Sequence, residues 1–403
     1  MKNGLRGILL MISTFSLQAS PSGWTPEAGA KLHEVIEAGA GKKNTAFFDL
    51  DNTVLCRDIG HATLAVMVRD GMLTPERIRK LASPPQIQSG GTDVRPEDGV
   101  FAYYEQLLRA TSRYPNSTTS DVGYAWLVQL LQGLSVQEIM EATRRAYQDG
   151  MGIQDLKKNQ TTFLPVEREK SVQVEAPFFY PEMVTLIATL LEKDYVVRIV
   201  SASNVWTVRW LMLHALNPLL RKQGKGLTLS PENIIGIGTV MQEEKGGLKQ
   251  DEALVRTDSM YAKLDGGAML AQLRVTPLLT FPISAYEGKA MHIRRVTDTP
   301  PYFVAGDSQN DYAMLGLATH RLYIARLDSP DIVKTSMEII RRDNAAAPGS
   351  SPWIIQPTLT KKYAGFVADP KSLPLEIKEK VVDSLRDIGY TDFHTQVKSI
   401  EPG

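Results

Sequence analysis

From Pro181 onward the chain alternates amphipathic patterns of helical period with apolar runs of strand length. In order these are the helix PEMVTLIATLLEKD, the strand YVVRIVSAS, the helix NVWTVRWLMLHAL, the strand NIIGIGTV, the helix EGKAMHIRRV, the strand PYFVAGDS, a helix start QNDYAMLG and the strand RLYIARL. Strands that alternate with helices predict a parallel α/β sheet, and the ligands of such sheets bind beyond the carboxyl ends of the strands. An earlier segment, NTAFFDLD, reads as one more buried strand. It follows TPEAGAKLHEVIEAGA, an amphipathic helix that Thr25 can cap and Pro26 can open, with Leu32, Val35 and Ile36 on one face.

Between these parts lies a block of different character. From Ile59 to about Tyr147 the patterns are helical: HATLAVMVRDGM, VFAYYEQLLRA, GYAWLVQLLQG and VQEIMEATRRAY, broken by Gly, Pro and Ser clusters, with a polar stretch leading back. The expected architecture is a Rossmann-like, doubly wound parallel sheet with an inserted helical cap. Residues 21–57 and 176–330 form the core, 58–175 the cap and 331–403 a C-terminal extension. In that extension RRDNAAAPGSSPW is linker-like and PLEIKEKVVDSLRDIG is a terminal helix.

Composition narrows the partners. The 403 residues suit two to three domains, and 45 basic against 45 acidic residues give no net field to attract nucleic acid or an anionic membrane, so a small molecule is the expected partner. Residues 1–20 place Lys2 and Arg6 before an apolar run from Gly7 to Phe15 and then small residues to Ser20. That is the layout of a secretory signal cleaved near Ala19 or Ser20, and it predicts export, in a bacterium to the periplasm. No later stretch approaches the roughly 18 unbroken apolar residues of a membrane span. Cys56 is the sole cysteine, which excludes an internal disulfide.

The chemistry starts where NTAFFDLD ends. In an extended strand Asp49 and Asp51 would face the same side, and two like charges about 4 Å apart repel by roughly 4 kcal/mol at an effective dielectric of about 20. A divalent cation or a raised pKa must compensate. Three further groups fall at corresponding places: Ser201 ends YVVRIVS, Lys289 opens a helix in YEGKAM, and Asp307 and Asp311 lie in GDSQND. Singly each has a structural explanation, such as a helix cap for Ser201, Asp307 or Asp311 and a solvated helix start for Lys289.

In this order the four motifs resemble the haloacid dehalogenase superfamily, whose pattern is DxDx[TV], then Ser or Thr, then Lys, then an acidic pair. The resemblance implies phosphoryl transfer, which needs an in-line nucleophile and positive charge around the phosphoryl oxygens. Asp49 suits the nucleophile and Asp51 the general acid and base. Asp49, Asp307 and the backbone carbonyl of Asp51 suit Mg²⁺. Ser201, Lys289 and Thr53 fall to phosphate binding, and Asn310 and Asp311 to the shell behind it.

The expected function is Mg²⁺-dependent hydrolysis of a small phosphorylated amine or alcohol through an aspartyl phosphate. Asp58 matches an acid that holds the substrate ammonium in enzymes similar to phosphoserine phosphatase. The span Thr45 to Asp328 is similar to the secreted phosphorylcholine phosphatases. Recognition of quaternary ammonium needs aromatic faces and a carboxylate, for which Tyr103, Tyr104 and Trp126 with Asp58 or Asp98 are candidates. Helically spaced aromatics also serve as core. A phosphoserine-type enzyme and a catalytically silent amine-binding protein stay open as alternatives.

Overall fold

The computed structural model describes residues 23–81, 87–89, 92–96, 99–111, 122–153, 163–165, 173–244, 246–251, 255, 267–347 and 353–390. The expected signal at 1–20 and the candidate Asp98 lie outside them. Seven strands form the main sheet: β1 (Thr45–Phe48), β2 (Val196–Asn204), β3 (Ile234–Ile237), β4 (Phe303–Gly306), β5 (His320–Arg326), β6 (Ile354–Leu359) and β7 (Gly365–Phe366). Their spatial order is β7-β6-β5-β4-β1-β2-β3. All neighbours are parallel except β6 and β7.

The order reverses direction at β1, which opens a crevice at the carboxyl ends of β1, β2 and β4. Register places Phe48 level with Ala305 of β4 and Ile199 of β2. Asp49, Asp307 and Ser201 therefore all emerge just past one line across the sheet. Phe47 and Phe48 are wholly buried, one in each of two apolar clusters, which anchors β1 between the helical layers.

The helix Pro26–Gly39 forms as expected, with the Thr25 hydroxyl accepting from the Ala28 amide and Leu32 and Ile36 buried. Between Asp58 and Glu175 the described residues form five helices and two short antiparallel ribbons. The entry strand Leu55–Cys56 pairs antiparallel with the return strand Phe178–Phe179. Arg57 locks this neck: its buried guanidinium donates to the carbonyls of Thr360 at 2.9 Å and Ala176 at 2.6 Å and lies 3.0 Å from Glu175 Oε2. Among the described residues no helix is long and apolar enough to cross a membrane.

Two boundaries differ from expectation. The chain past Pro330 is not a separate extension: a helix spans Pro330–Ala346, covering the first part of the supposed linker, and β6 and β7 extend the sheet. NIIGIGTV is not one strand either. It breaks at Gly238, after which Thr239–Glu243 pairs with Leu273–Leu279 in a separate three-stranded antiparallel sheet. That sheet docks on the inserted helices through Gly133 N to Val275 O at 2.8 Å and Val275 N to Leu134 O at 2.9 Å. The strands Thr239–Glu243 and Leu273–Leu279 thus side with the insertion, although they lie within the expected core span.

Candidate active site

The strand ends at Phe48, so Asp49 and Asp51 do not share a strand face. The Asp49 amide still donates to Ala305 O at 3.0 Å, and the chain then turns, with Leu50 O accepting from the amides of Thr53, Val54 and Leu55. Each carboxylate has its own partners. Asp49 Oδ1 lies 2.5 Å from Lys289 Nζ, and Asp49 Oδ2 accepts from the Thr53 hydroxyl at 3.2 Å. Asp51 Oδ1 accepts from the Ile59 amide at 2.8 Å, at the start of the helix Ile59–Arg69, and Asp51 Oδ2 accepts from the Ser203 hydroxyl at 2.8 Å.

Lys289 is fully buried and also reaches Asp311 Oδ1 at 2.6 Å. Its position is set on both sides of the preceding loop. Ser284 Oγ donates to Ser201 O at 2.7 Å, and the Tyr286 amide donates to Asn310 Oδ1 at 2.7 Å. A Cβ on Gly288 would stand 1.6 Å from Ile283 O, so only glycine lets the loop fold this tightly beside Lys289.

Asp311 turns its second oxygen back to the amides of Asp307 at 3.0 Å and Ser308 at 3.2 Å. Both its oxygens are engaged by protein groups, and Asn310 holds the Lys289 loop. A Cβ at Gly306 would come within 2.5 Å of Asp311 Cβ. Gly306→Ala should therefore displace Asp311, destabilise the fold by about 1–3 kcal/mol and lower activity more than tenfold; urea unfolding and initial rates check both.

One ligand atom each from Asp49, Asp307 and Asp311 lies within 4.8 Å of the others, all three residues buried. Arg326, from the end of β5, places Nε 2.7 Å from Asp307 Oδ2, pairing charge although no hydrogen bond forms there. Burial, reinforced by Asp311 and opposed by Lys289, pushes Asp49 up to about 6. Burial also holds Asp307 well above the usual carboxylate range against the pull of Arg326. Loss of hydration, then Asp58 and Asp49, raise Asp51 in the same direction. Lys289 is raised because Asp311 and Asp49 outweigh the desolvation that would lower it.

When ionised, Asp49, Asp51, Asp307 and Asp311 bring four negative charges against two positive from Lys289 and Arg326, an excess of two. Buried hard oxygen donors with that excess fit a divalent cation such as Mg²⁺. Because Asp311 is committed to Lys289 and the Asp307 turn, Asp49 and Asp307 are the side chains best placed to hold it.

Ser201 is buried, and its hydroxyl accepts from the Ser203 amide at 3.0 Å and stands 3.4 Å from Asp51 Oδ2. Sequence reasoning missed Ser203 and Arg326. Ser203 had a signal: it lies two residues past Ser201 in a strand, on the same face. Asp58 caps the helix Ile59–Arg69 by accepting from the His61 amide at 2.8 Å.

Tyr103, Tyr104 and Trp126 pack together in the main core cluster, with ring centroids 4.8 Å apart for Tyr103–Trp126 and 6.3 Å for Tyr104–Trp126. Tyr104 also feels Asp58 and Asp51, which, after burial, raise its hydroxyl well above the ordinary value. Two unforeseen tyrosines join it: Tyr124 and Tyr286 have centroids 6.2 Å apart, and Tyr124 feels Tyr104, Asp58 and Asp311.

The sheet, of order 3-2-1-4-5-6, is doubly wound, and its carboxyl edge gathers a carboxylate pair just past β1, serine on β2, lysine from the helix before β4 and an acidic pair after β4. The chain is similar to the phosphorylcholine phosphatase of Pseudomonas aeruginosa, 27% identical over 289 residues that span 71% of this chain and 74% of that protein. Among solved structures it resembles a conserved protein of unknown function from Anaerococcus prevotii, with a TM-score of 0.56 at 19% identity, covering 87% of this chain and 97% of that one. No family model matches the chain.

Proposed function

We propose that the protein is a Mg²⁺-dependent phosphomonoesterase that acts through an aspartyl phosphate on a small phosphorylated amine, with phosphorylcholine as the leading candidate. The observation that carries this is the Asp49–Lys289–Asp311 arrangement, with Asp307 beside it at the carboxyl edge of the sheet. Bound between Asp49 and Asp307, with the Asp51 carbonyl as a further ligand, the cation would neutralise charge on the phosphate.

The chain's own groups do the rest. Lys289 places its ammonium against Asp49 and the incoming phosphoryl oxygens, and Ser201 offers a hydroxyl to another of them. Asp49 Oδ attacks phosphorus as the ester P–O bond breaks, and Asp51 gives its proton to the departing alkoxide. Asp51 then takes a proton from water as the water oxygen attacks phosphorus and the Asp49–phosphorus bond breaks. Thr53 holds Asp49 through Oδ2, steadying the nucleophile.

Similarity to a phosphorylcholine phosphatase supports the choice of headgroup, as does the neighbourhood of Asp58, whose charge acts on the Tyr104 hydroxyl, since a carboxylate beside aromatic rings is the chemistry that suits an ammonium. Export to the periplasm is part of the same proposal, supported by the charged, apolar and small-residue sequence of residues 1–20.

The test is a panel of phosphocholine, phosphoethanolamine and phosphoserine, each with Mg²⁺ and with EDTA. Hydrolysis should require Mg²⁺ and favour phosphocholine over phosphoserine at least tenfold, the scale of a cation–aromatic contact of about 1–2 kcal/mol. Preference for phosphoserine would favour the phosphoserine-type alternative. Turnover undiminished in EDTA would remove the metal from the proposal.

A further inference from the structure

We infer that Ser203 is a positioning residue for proton transfer: its hydroxyl aims the carboxyl of Asp51 at the leaving-group oxygen. The inference rests on Asp51 as the acid of the proposed reaction. Asp51 is held at two points, Oδ1 by the Ile59 amide and Oδ2 by Ser203 Oγ, each at 2.8 Å. The two donors come from different parts of the fold. Ile59 opens the first inserted helix, while Ser203 stands near the end of β2, so the carboxyl plane is fixed between the insertion and the sheet.

The neighbouring serine is placed for a different task. Ser201 Oγ is 3.4 Å from the same Asp51 oxygen and accepts the Ser203 amide at 3.0 Å. That amide occupies one lone pair of Ser201, and the longer contact leaves its proton free to turn to a phosphoryl oxygen. Once Ser201 turns, Ser203 is the remaining side-chain partner of Asp51 Oδ2 among the hydrogen bonds described above. The packing keeps room for it: a Cβ on Gly60 would stand 3.0 Å from Ser203 Oγ, and Ser203 is only 8% exposed. A hydroxyl that donates to Oδ2 still leaves that oxygen a lone pair for the proton in transit, and the Ser203 proton itself stays on Oγ throughout.

The two serines should therefore separate by substrate. An alkyl phosphate needs its leaving oxygen protonated, whereas p-nitrophenolate departs readily as the anion. The experiment measures kcat/KM for an alkyl phosphomonoester that the wild type hydrolyses and for p-nitrophenyl phosphate.

Ser203→Ala should lower kcat/KM for the alkyl ester by about 10- to 100-fold, within the range of general acid catalysis, and leave p-nitrophenyl phosphate within about threefold, a change of less than 1 kcal/mol. Ser203→Thr, which retains the hydroxyl, should recover most of the loss. Ser203→Cys, close in size but a weak donor, should show the same selective defect if the alanine variant folds poorly. Ser201→Ala should slow both esters alike. Equal losses on both esters for the Ser203 variants, or no loss on either, would overturn the role of Ser203. A wild type that hydrolyses neither ester would instead overturn the phosphatase proposal beneath it.

Discussion

Asp49→Asn is expected to lower turnover by about 10⁴-fold or more while the protein stays folded, since removing a nucleophile leaves only binding and electrostatic assistance. The amide is nearly isosteric with the carboxylate, so the Thr53 contact at 3.2 Å can be kept, and Lys289 retains Asp311 at 2.6 Å. Thermal stability should change little in the metal-free protein. Burial and Asp311 make the ionised form of Asp49 unfavourable there, and neutralising it relieves the crowding of carboxylates even as Lys289 loses one partner.

Two measurements separate the possibilities. Rates should collapse for every ester, and rapid quenching with a labelled phosphate ester should trap label on the wild-type chain and none on the variant. A variant that keeps a tenth of wild-type activity would remove Asp49 from the role of nucleophile. An amine-binding protein without catalytic activity would show no such dependence at all.

Much of this site was legible because it is built from short strands and what directly follows them. An apolar run of strand length reveals β1, β2 and β4, and parallel order brings their ends together, so Asp49, Ser201 and Asp307 could be read as neighbours. What failed was local. The two aspartates were expected on one strand face, but the strand stops at Phe48 and the following turn gives each carboxylate separate partners.

The late strands were hidden by polar residues. IIQPTL carries Gln356 and Pro357, yet Gln356 is fully buried and its amide group ties together the Thr25 amide and the carbonyls of Gly23 and Val367. A buried glutamine whose partners include Gly23 and Thr25, at the far end of the chain, leaves no periodic trace. The same holds for Arg326, whose partner Asp307 is 19 positions away and just past the end of a neighbouring strand.

Lys289→Met should be the most destabilising of the single substitutions considered. The ammonium is wholly buried between Asp49 Oδ1 at 2.5 Å and Asp311 Oδ1 at 2.6 Å, and its removal leaves two facing carboxylates without a cation. Breaking a buried pair in this way costs about 3–5 kcal/mol, because the stranded charge keeps its desolvation penalty without its partner. Urea unfolding of the metal-free protein should show that loss, and activity should fall at least 100-fold with the charge on the phosphoryl oxygens gone.

Asp311→Asn alone should also destabilise, since it weakens the hold on Lys289 and on the amides of Asp307 and Ser308. The double variant Lys289→Met/Asp311→Asn, however, removes a cation and an anion together and should be more stable than the sum of the single losses by about 1 kcal/mol or more. Saturating Mg²⁺ should restore part of the stability of Lys289→Met by binding the native state beside the same carboxylates. Additive losses, or a lysine variant as stable as the wild type, would mean that Lys289 does not hold these carboxylates together, and the charge balance inferred for the site would fail with it.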